Sequence, residues 1–347
     1  MTGSIAILLP NWIGDTVMAT PALRALRRGA GRSTRMVGLG RAAVCELLAG
    51  GSQLDELWPL PAQRRFPFER SLRLAARLRG ARFDCAVLLT NGLGAALAAR
   101  LAGINERVGY ARHGRNFLLT RALVPPRDSE RLRPIPAIDY YLEIAGALGC
   151  PAETPKMELA TTTADEAAAE RIWNRFGERK DRPTILLNNG AATGSAKLWP
   201  AASMAELAQR MVRNLDANVL VLAGASGEAG ALRIVELAAM TSVMAMSEPG
   251  VGLAKACIRR ARLMVSTDSG PRHIAVALGV PVVSLFGPTD PRWTDLHSPL
   301  DLVVREEVPC GPCQQVICPH RHHRCMTDLN VERVWDAVQQ QLTLISR

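Results

Sequence analysis

Aromatic side chains are scarce: 3 Tyr, 6 Phe and 6 Trp make up 4% of the 347 residues. So few rings argue against the stacking platforms that hold single-stranded nucleic acid. No nucleic-acid-binding motif appears either, so no nucleic-acid partner is expected. No apolar run approaches the ~18 residues that cross a bilayer. "IAILLP" near the start is too short for the apolar core of a secretory signal and follows no basic segment. A cytoplasmic protein is expected, one that touches a membrane without crossing it.

Lysine is missing from residues 1–150, and acids are thin there: 21 Arg stand against 11 Asp+Glu. The remaining residues hold 21 Lys+Arg and 21 Asp+Glu, so the net charge of +10 belongs to the first half. A half charged this way suits an acidic partner: nucleic acid, an anionic membrane surface or a phosphorylated substrate. High-GC coding bias is the competing explanation. It accounts for Arg in place of Lys, but not for the missing acids.

Apolar runs are present and alternate with helical patterns. "SIAILLP" precedes "DTVMATPALRALRRG", "STRMVGLG" precedes "RAAVCELLAGG", and "FDCAVLLT" precedes "GLGAALAARLAG". Strand–helix alternation predicts a parallel sheet covered on both faces. "VPPRDSERLRPIP" (124–136) reads as an exposed loop and "CPAETPKMELATTTADE" as a linker, after which the pattern restarts at "PTILLNNG". The length suits two domains. The prediction is an α/β protein of two doubly wound, Rossmann-like domains: 1–155, then 156–329, then a helix over 330–347 that need not pack on the second domain. Ligands of such sheets sit beyond the C-terminal strand ends, here expected in the cleft between domains.

Three strand–turn–helix segments carry candidate chemistry. In "LLPNWIGDTVMATPALRAL" (8–26), Gly14 allows close backbone approach and Asp15 stands at a helix start. Asp15 is either an N-cap or a general base acting on a hydroxyl; the preceding Gly and the strand-end position favour the base. In "NNGAATGSAKLWP" (188–200), the amides of Gly194, Ser195 and Ala196 with Lys197 suit phosphate oxygens, although the GK[ST] of a Walker A loop is missing. In "VSTDSGPRHIAVALGVPVVSLFGPT" (265–289), a helix opened by Pro271 offers free N–H groups to an anion, yet Asp268 stands at its mouth. A nucleotide-sugar reconciles the two: amides from Ser269 and Gly270 to His273 take the diphosphate while Asp268 accepts from sugar hydroxyls. Asp268 also reads as a plain N-cap, and His273 as a buried polar residue. Glu228 in "VLAGASGEAGALRI" suits a ribose diol or simply a helix dipole.

"NWIGDTVMATPALRAL", "GSAKLWP" and "VSTDSGPRHIAVALGVPVVSLFGPTDP" together resemble the motifs of glycosyltransferase family 9, the ADP-heptose:lipopolysaccharide heptosyltransferases, in the family's order over residues 8–291. "NWIGD" with "AKLWP" is closer to the heptosyltransferase II branch than to heptosyltransferase I. The resemblance implies a GT-B fold, with acceptor on the first domain, donor on the second and a last helix crossing back. It implies metal-independent, inverting transfer of L-glycero-D-manno-heptose from ADP-heptose to the heptosyl-Kdo inner core of Kdo-lipid A, at the inner face of the inner membrane. Asp15 matches the base, Lys197 a residue near the donor phosphates, Glu228 the ribose-binding acid, Asp268 the heptose-binding acid, and Ser269 and Gly270 the diphosphate turn. The match around Glu228 is loose. The rivals are a related transferase with another sugar or acceptor, a nucleotide-sugar epimerase and a non-catalytic sugar-nucleotide sensor.

That core carries carboxylates and phosphates, which gives the Arg surplus a partner. "RVGYARHGRNFLLT" clusters Arg107, Arg112, His113 and Arg115; Arg112 and Arg115, with Asn11, are the candidate acceptor contacts. Finally, "CGPCQQVICPHRHHRC" (310–325) holds Cys310, Cys313, Cys318 and Cys325 with three His. Its ligand types suit a structural zinc, its spacing matches no standard finger, and free thiols are the alternative. No metal is expected in the catalytic centre.

Overall fold

A computed structural model describes residues 3–61, 67–129, 131–190, 194–223 and 227–345. The chain divides into two compact units, residues 1–160 with 292–295, and residues 161–291 with 296–347. The first unit contains β1 (Ser4–Leu8), α1 (Ile13–Met18), α2 (Thr20–Ala30), β2 (Arg35–Arg41), α3 (Ala42–Leu48), β3 (Glu56–Leu60) and α4 (Pro67–Ala81). There follow β4 (Cys85–Leu88), α5 (Leu93–Leu101), β5 (Glu106–Tyr110), β6 (Arg121–Leu123), the short antiparallel pair β7 (Arg127–Asp128) and β8 (Arg131–Leu132), and α6 (Ala137–Ala147). The second contains α7 (Thr163–Asn174), β9 (Thr184–Asn188), α8 (Ala201–Leu215), β10 (Asn218–Leu222), α9 (Glu228–Ala238), β11 (Val243–Met246), α10 (Val251–Arg260) and β12 (Leu263–Thr267). It ends with α11 (Gly270–Ala277), β13 (Val282–Phe286), β14 (Asp301–Arg305), α12 (Arg324–Thr327) and α13 (Val331–Ile345).

The two sheets repeat one topology, β3-β2-β1-β4-β5-β6 and β11-β10-β9-β12-β13-β14, with parallel neighbours throughout. Strand order reverses beside β1 in one sheet and beside β9 in the other, and loops diverge there to leave room for a ligand. This is the expected α/β, GT-B class of two Rossmann-like units. Strands β9, β10, β12 and β13 are buried along their whole length, as helices on both faces require. Helix starts follow local chemistry: Pro21 and Pro271 sit in the first turns of α2 and α11, and Thr162 with Asp165 forms a capping box on α7.

Two expectations about boundaries change. Part of the expected linker belongs to the first unit, because Arg24 pairs with Glu153 and Glu158 and Met157 is buried; the division falls at 160/161 instead of 155/156. The last helix was expected to cross back to the first domain. It packs on the second unit instead, where Val331, Val334, Trp335 and Val338 form one apolar stripe in the core with Val283, Leu285 and Val304. Gln341 fixes its far end by donating to Val282 O at 3.4 Å and Leu300 O at 3.3 Å. No helix among the described residues is long and apolar enough to cross a membrane.

Candidate active site

In the first unit, the β1–α1 turn delivers Asp15 as the third residue of a short helix whose N-cap is Trp12. The capping role is therefore not filled by Asp15. Its carboxyl has no hydrogen bond or ion pair among the described residues, and burial pushes its pKa up to about 6. A carboxyl held this way is ionised at neutral pH and ready to take a proton. Asp15 opens into a cavity of about 260 Å³ with Asn91, Arg112, Arg133, Tyr140 and Tyr141. Tyr141 is buried, and the Asp15 charge, after burial itself, holds its hydroxyl in the neutral form.

Arg112 and Arg115 separate. Arg112 lines that cavity and hydrogen-bonds the Tyr140 hydroxyl. Arg115 is fully buried and donates to Tyr110 O at 3.0 Å, Thr90 O at 2.5 Å and Asn91 Oδ1 at 3.2 Å. It was expected to contact the acceptor; its donors are instead engaged by the protein, and it acts as a clamp. Arg107 is likewise buried, donating to Leu118 O at 2.7 Å. Asn11 does not join Asp15. It donates to Thr90 Oγ1 at 3.3 Å and lines a different cavity.

The sequence reading missed Asn91. Its Oδ1 accepts from Arg115 and from the Tyr140 hydroxyl at 3.0 Å. A guanidinium only donates, so the amide orientation is unambiguous. Its Nδ2 has no partner among the described residues.

In the second unit, the strand ends of β9 and β12 bring Lys197 and Asp268 together, Nζ to Oδ2 at 2.8 Å and Nζ to the Asp268 carbonyl at 3.1 Å. Asp268 also accepts from Thr289 Oγ1 at 2.8 Å and lies 3.6 Å from the Arg272 guanidinium. Burial pushes its carboxyl up, but the charges of Lys197 and Arg272 outweigh this and hold it below its ordinary value. It is an ionised acceptor set between cations. Ser269, not Asp268, is the N-cap of α11; its hydroxyl accepts from Asn188 Nδ2 at 2.8 Å, so it makes no side-chain cap bond. With Gly270 next and no N–H on Pro271, the Ser269–Gly270 turn faces the helix end that favours anions. His273 is buried, and burial followed by the Arg272 charge pushes its pKa down to about 3. It is neutral, with Nδ1 lacking a partner among the described residues.

The Lys197 loop is braced from both sides. Asn189 Nδ2 donates to Trp199 O at 2.7 Å and its Oδ1 accepts from Trp199 N at 2.9 Å. Trp199 is buried and donates from Nε1 to Leu329 O at 2.8 Å; truncating such a side chain costs about 3–5 kcal/mol. The expected phosphate amide of Ala196 donates instead to Val316 O at 3.2 Å. Residues 191–193 of this loop lie outside the described residues. Glu228 is the exposed first residue of α9, past β10, and no hydrogen bond or ion pair among the described residues joins it to Lys197 or Asp268; residues 224–226 before it are also outside them.

Val316 belongs to the Cys/His segment. Cys310, Cys313, Cys318, Cys325, His320 and His322 wall a void of about 20 Å³, with Cys310 Sγ 3.9 Å from His322 Nε2. Among the described residues, no three His, Cys, Asp or Glu side chains are gathered into a set that would hold a metal ion. The segment packs against Ala196 and Pro288, beside Lys197 and Thr289.

Two sites thus result: a lone raised carboxyl in one unit, and an acid between cations at a helix start in the other. The glycosyltransferase family 9 (heptosyltransferase) model matches residues 71–323. Lipopolysaccharide heptosyltransferase 2 of Escherichia coli (strain K12) is 26% identical over 349 residues, 97% of this chain and 98% of that one. The enzyme of the same name from Salmonella typhimurium is 27% identical, over 98% of each. The solved E. coli ADP-heptose LPS heptosyltransferase II aligns at 25% identity and a TM-score of 0.80, over 99% of this chain and 100% of that one. With its fold and most of its length accounted for in this way, the chain belongs to glycosyltransferase family 9 and is a glycosyltransferase.

Proposed function

We propose that the chain transfers L-glycero-D-manno-heptose from ADP-heptose to the heptosyl-Kdo inner core of lipopolysaccharide, working at the inner face of the inner membrane. The observation that carries the reading is the unpartnered Asp15 carboxyl, raised to about 6 by burial and open to a cavity that also holds Arg112. The relatives named as lipopolysaccharide heptosyltransferase 2 support the donor and acceptor classes, and the Arg surplus of residues 1–150 suits an anionic glycolipid.

In this reading an acceptor hydroxyl gives its proton to Asp15 as its oxygen attacks the anomeric carbon of the donor. The bond from that carbon to the phosphate oxygen breaks, ADP leaves with the electron pair, and the configuration inverts. Lys197 and the amides of the Ser269–Gly270 turn stabilise charge growing on the leaving phosphate, while Asp268 orients the heptose hydroxyls. Arg112 pairs with an acceptor carboxylate or phosphate.

The test is a panel of ADP-heptose, ADP-glucose and UDP-sugars with heptosyl-Kdo-lipid A, read by mass spectrometry. Addition of one heptosyl unit from ADP-heptose alone is expected. Transfer from a UDP-sugar, or donor turnover that leaves the acceptor mass unchanged, would overturn the reading.

A further inference from the structure

A buried charge beside the donor acid has no task in the proposed transfer. Arg272 lies in the first turn of α11 and is fully buried. Its Nε donates to Ser284 Oγ at 2.9 Å and to Asp301 Oδ1 at 3.2 Å, and its Nη2 pairs with Asp301 Oδ2. Ser284, in β13, donates to Asp301 Oδ1 as well. Asp301 opens β14, the edge strand of the second sheet, and its side chain is only 5% exposed. The Phe286 ring lies 4.8 Å from the guanidinium carbon. A carboxylate on the edge strand thus anchors one side of Arg272, while its Nη1 stands 3.6 Å from Asp268 Oδ1. That separation is ionic contact, too long for a hydrogen bond.

The two carboxylate oxygens of Asp268 therefore differ. Oδ2 accepts from Lys197 Nζ and from Thr289 Oγ1, each at 2.8 Å. Oδ1 accepts no hydrogen bond among the described residues and faces the Arg272 charge. The two cations differ as well. Lys197 is partly exposed and spends two of its three N–H donors on Asp268, which leaves one for a phosphate oxygen. A bound diphosphate draws its charge away from the carboxylate. Arg272 escapes that competition, because Asp301 and Ser284 hold it away from solvent. A buried ion pair gains little stability over apolar side chains of similar volume, so folding alone does not call for this one. A fixed positive charge beside a sugar-binding acid has a use. We propose that Arg272 is a positioning residue for the donor sugar: anchored by Asp301, it is the fixed counter-ion of Asp268 and holds Oδ1 in place for a heptose hydroxyl, while Lys197 serves the diphosphate. The inference rests on the transferase reading and divides the care of sugar and leaving group between two cations.

Calorimetry with ADP-heptose and with ADP, both without acceptor, tests the assignment. Arg272→Gln weakens ADP-heptose binding about 10-fold or more, the range of one charged contact, while ADP, which lacks the sugar, stays within about threefold of wild type. Arg272→Gln alone strands the Asp301 charge in the interior. The double variant Arg272→Gln/Asp301→Asn removes both charges and shows the same split between the two ligands. A crystal structure of the wild type with ADP-heptose needs no substitution, so a variant that fails to fold leaves the test in place. It shows a heptose hydroxyl within about 3.2 Å of Asp268 Oδ1, with Arg272 still paired to Asp301. Three results would overturn the proposal: equal losses for ADP and ADP-heptose, variants that bind ADP-heptose at full strength, or a bound structure in which Asp268 Oδ1 meets Arg272 instead of the sugar. A wild-type protein that does not bind ADP-heptose would instead defeat the transferase reading itself.

Discussion

Lys197 Nζ lies 2.8 Å from Asp268 Oδ2, joining residues 71 positions apart at neighbouring strand ends of the second sheet. In the proposed reaction the pair supplies the cation and the ionised acceptor that a sugar diphosphate needs. Lys197→Met removes the cation and leaves Asp268 with Arg272 and Thr289 as partners. Calorimetry with ADP is expected to show an affinity loss of about 10-fold or more, with Tm within a few degrees of wild type. ADP binding at full strength would remove Lys197 from the donor site.

Gly194 makes the placement of Lys197 possible. Its φ is +70°, and a Cβ there would lie 1.9 Å from Val316 O. The carbonyl is backbone and the added Cβ is fixed to the loop's own backbone, so neither yields cheaply. Gly194→Ala is expected to displace the loop from the Cys/His segment, weakening ADP binding about as much as loss of Lys197 does. A variant with native donor affinity would show that the segment does not brace the loop.

How much of this was legible in sequence depends on burial. The strands recognised from their apolar runs, β1, β2, β4, β9, β10, β12 and β13, all lie inside their sheets. The missed β3, β6 and β11 are edges, and "ELWPL" is half-exposed along its length, so nothing forces a continuous apolar run; β5 was missed although it lies inside its sheet, because Arg107 and Gly109 break the apolar run of "ERVGY". Strand β14, "DLVVR", is also an edge, and helix α13 covers its one buried valine. Among site residues, Asp15, Lys197 and Asp268 announced themselves as charges at strand-to-helix turns. The pairing of Lys197 with Asp268 did not, because only the β9–β12 adjacency creates it. Arg112 and Arg115 look alike in sequence; their fates differ because Arg115 reaches the carbonyls of Thr90 and Gly92, a long-range fact. Asn91 and Thr289 carried no signal beyond being polar residues in loops.

Asn91→Asp tests the amide that Arg115 orients. The carboxylate keeps both acceptor bonds, from Arg115 and Tyr140, but turns the free Nδ2 donor into an acceptor. Tm near wild type is expected, with acceptor kcat/KM down about 10- to 100-fold and donor KM unchanged. Equal loss on donor and acceptor would assign Asn91 a structural role only.

Acidity should act through Asp15. Its folded pKa of about 6 implies that acceptor kcat/KM falls as pH drops through about 6, because the protonated carboxyl accepts nothing. The stability consequence has the opposite sense. A carboxyl raised in the fold favours its protonated form, so its contribution is full below the unfolded value of 3.8 and is lost as pH rises through about 6. Asp15→Asn never ionises and should therefore be more stable than wild type at pH 8, by on the order of 1–3 kcal/mol. The difference should vanish near pH 4, as thermal melts at the two pH values would show.

The most direct test measures heptosyl transfer and ADP-heptose binding side by side in Asp15→Asn. If Asp15 takes the proton, turnover at pH 8 falls by about 10²–10⁴-fold while the dissociation constant for ADP-heptose stays within twofold of wild type. Turnover at the wild-type rate in the Asn variant would contradict the account at its base.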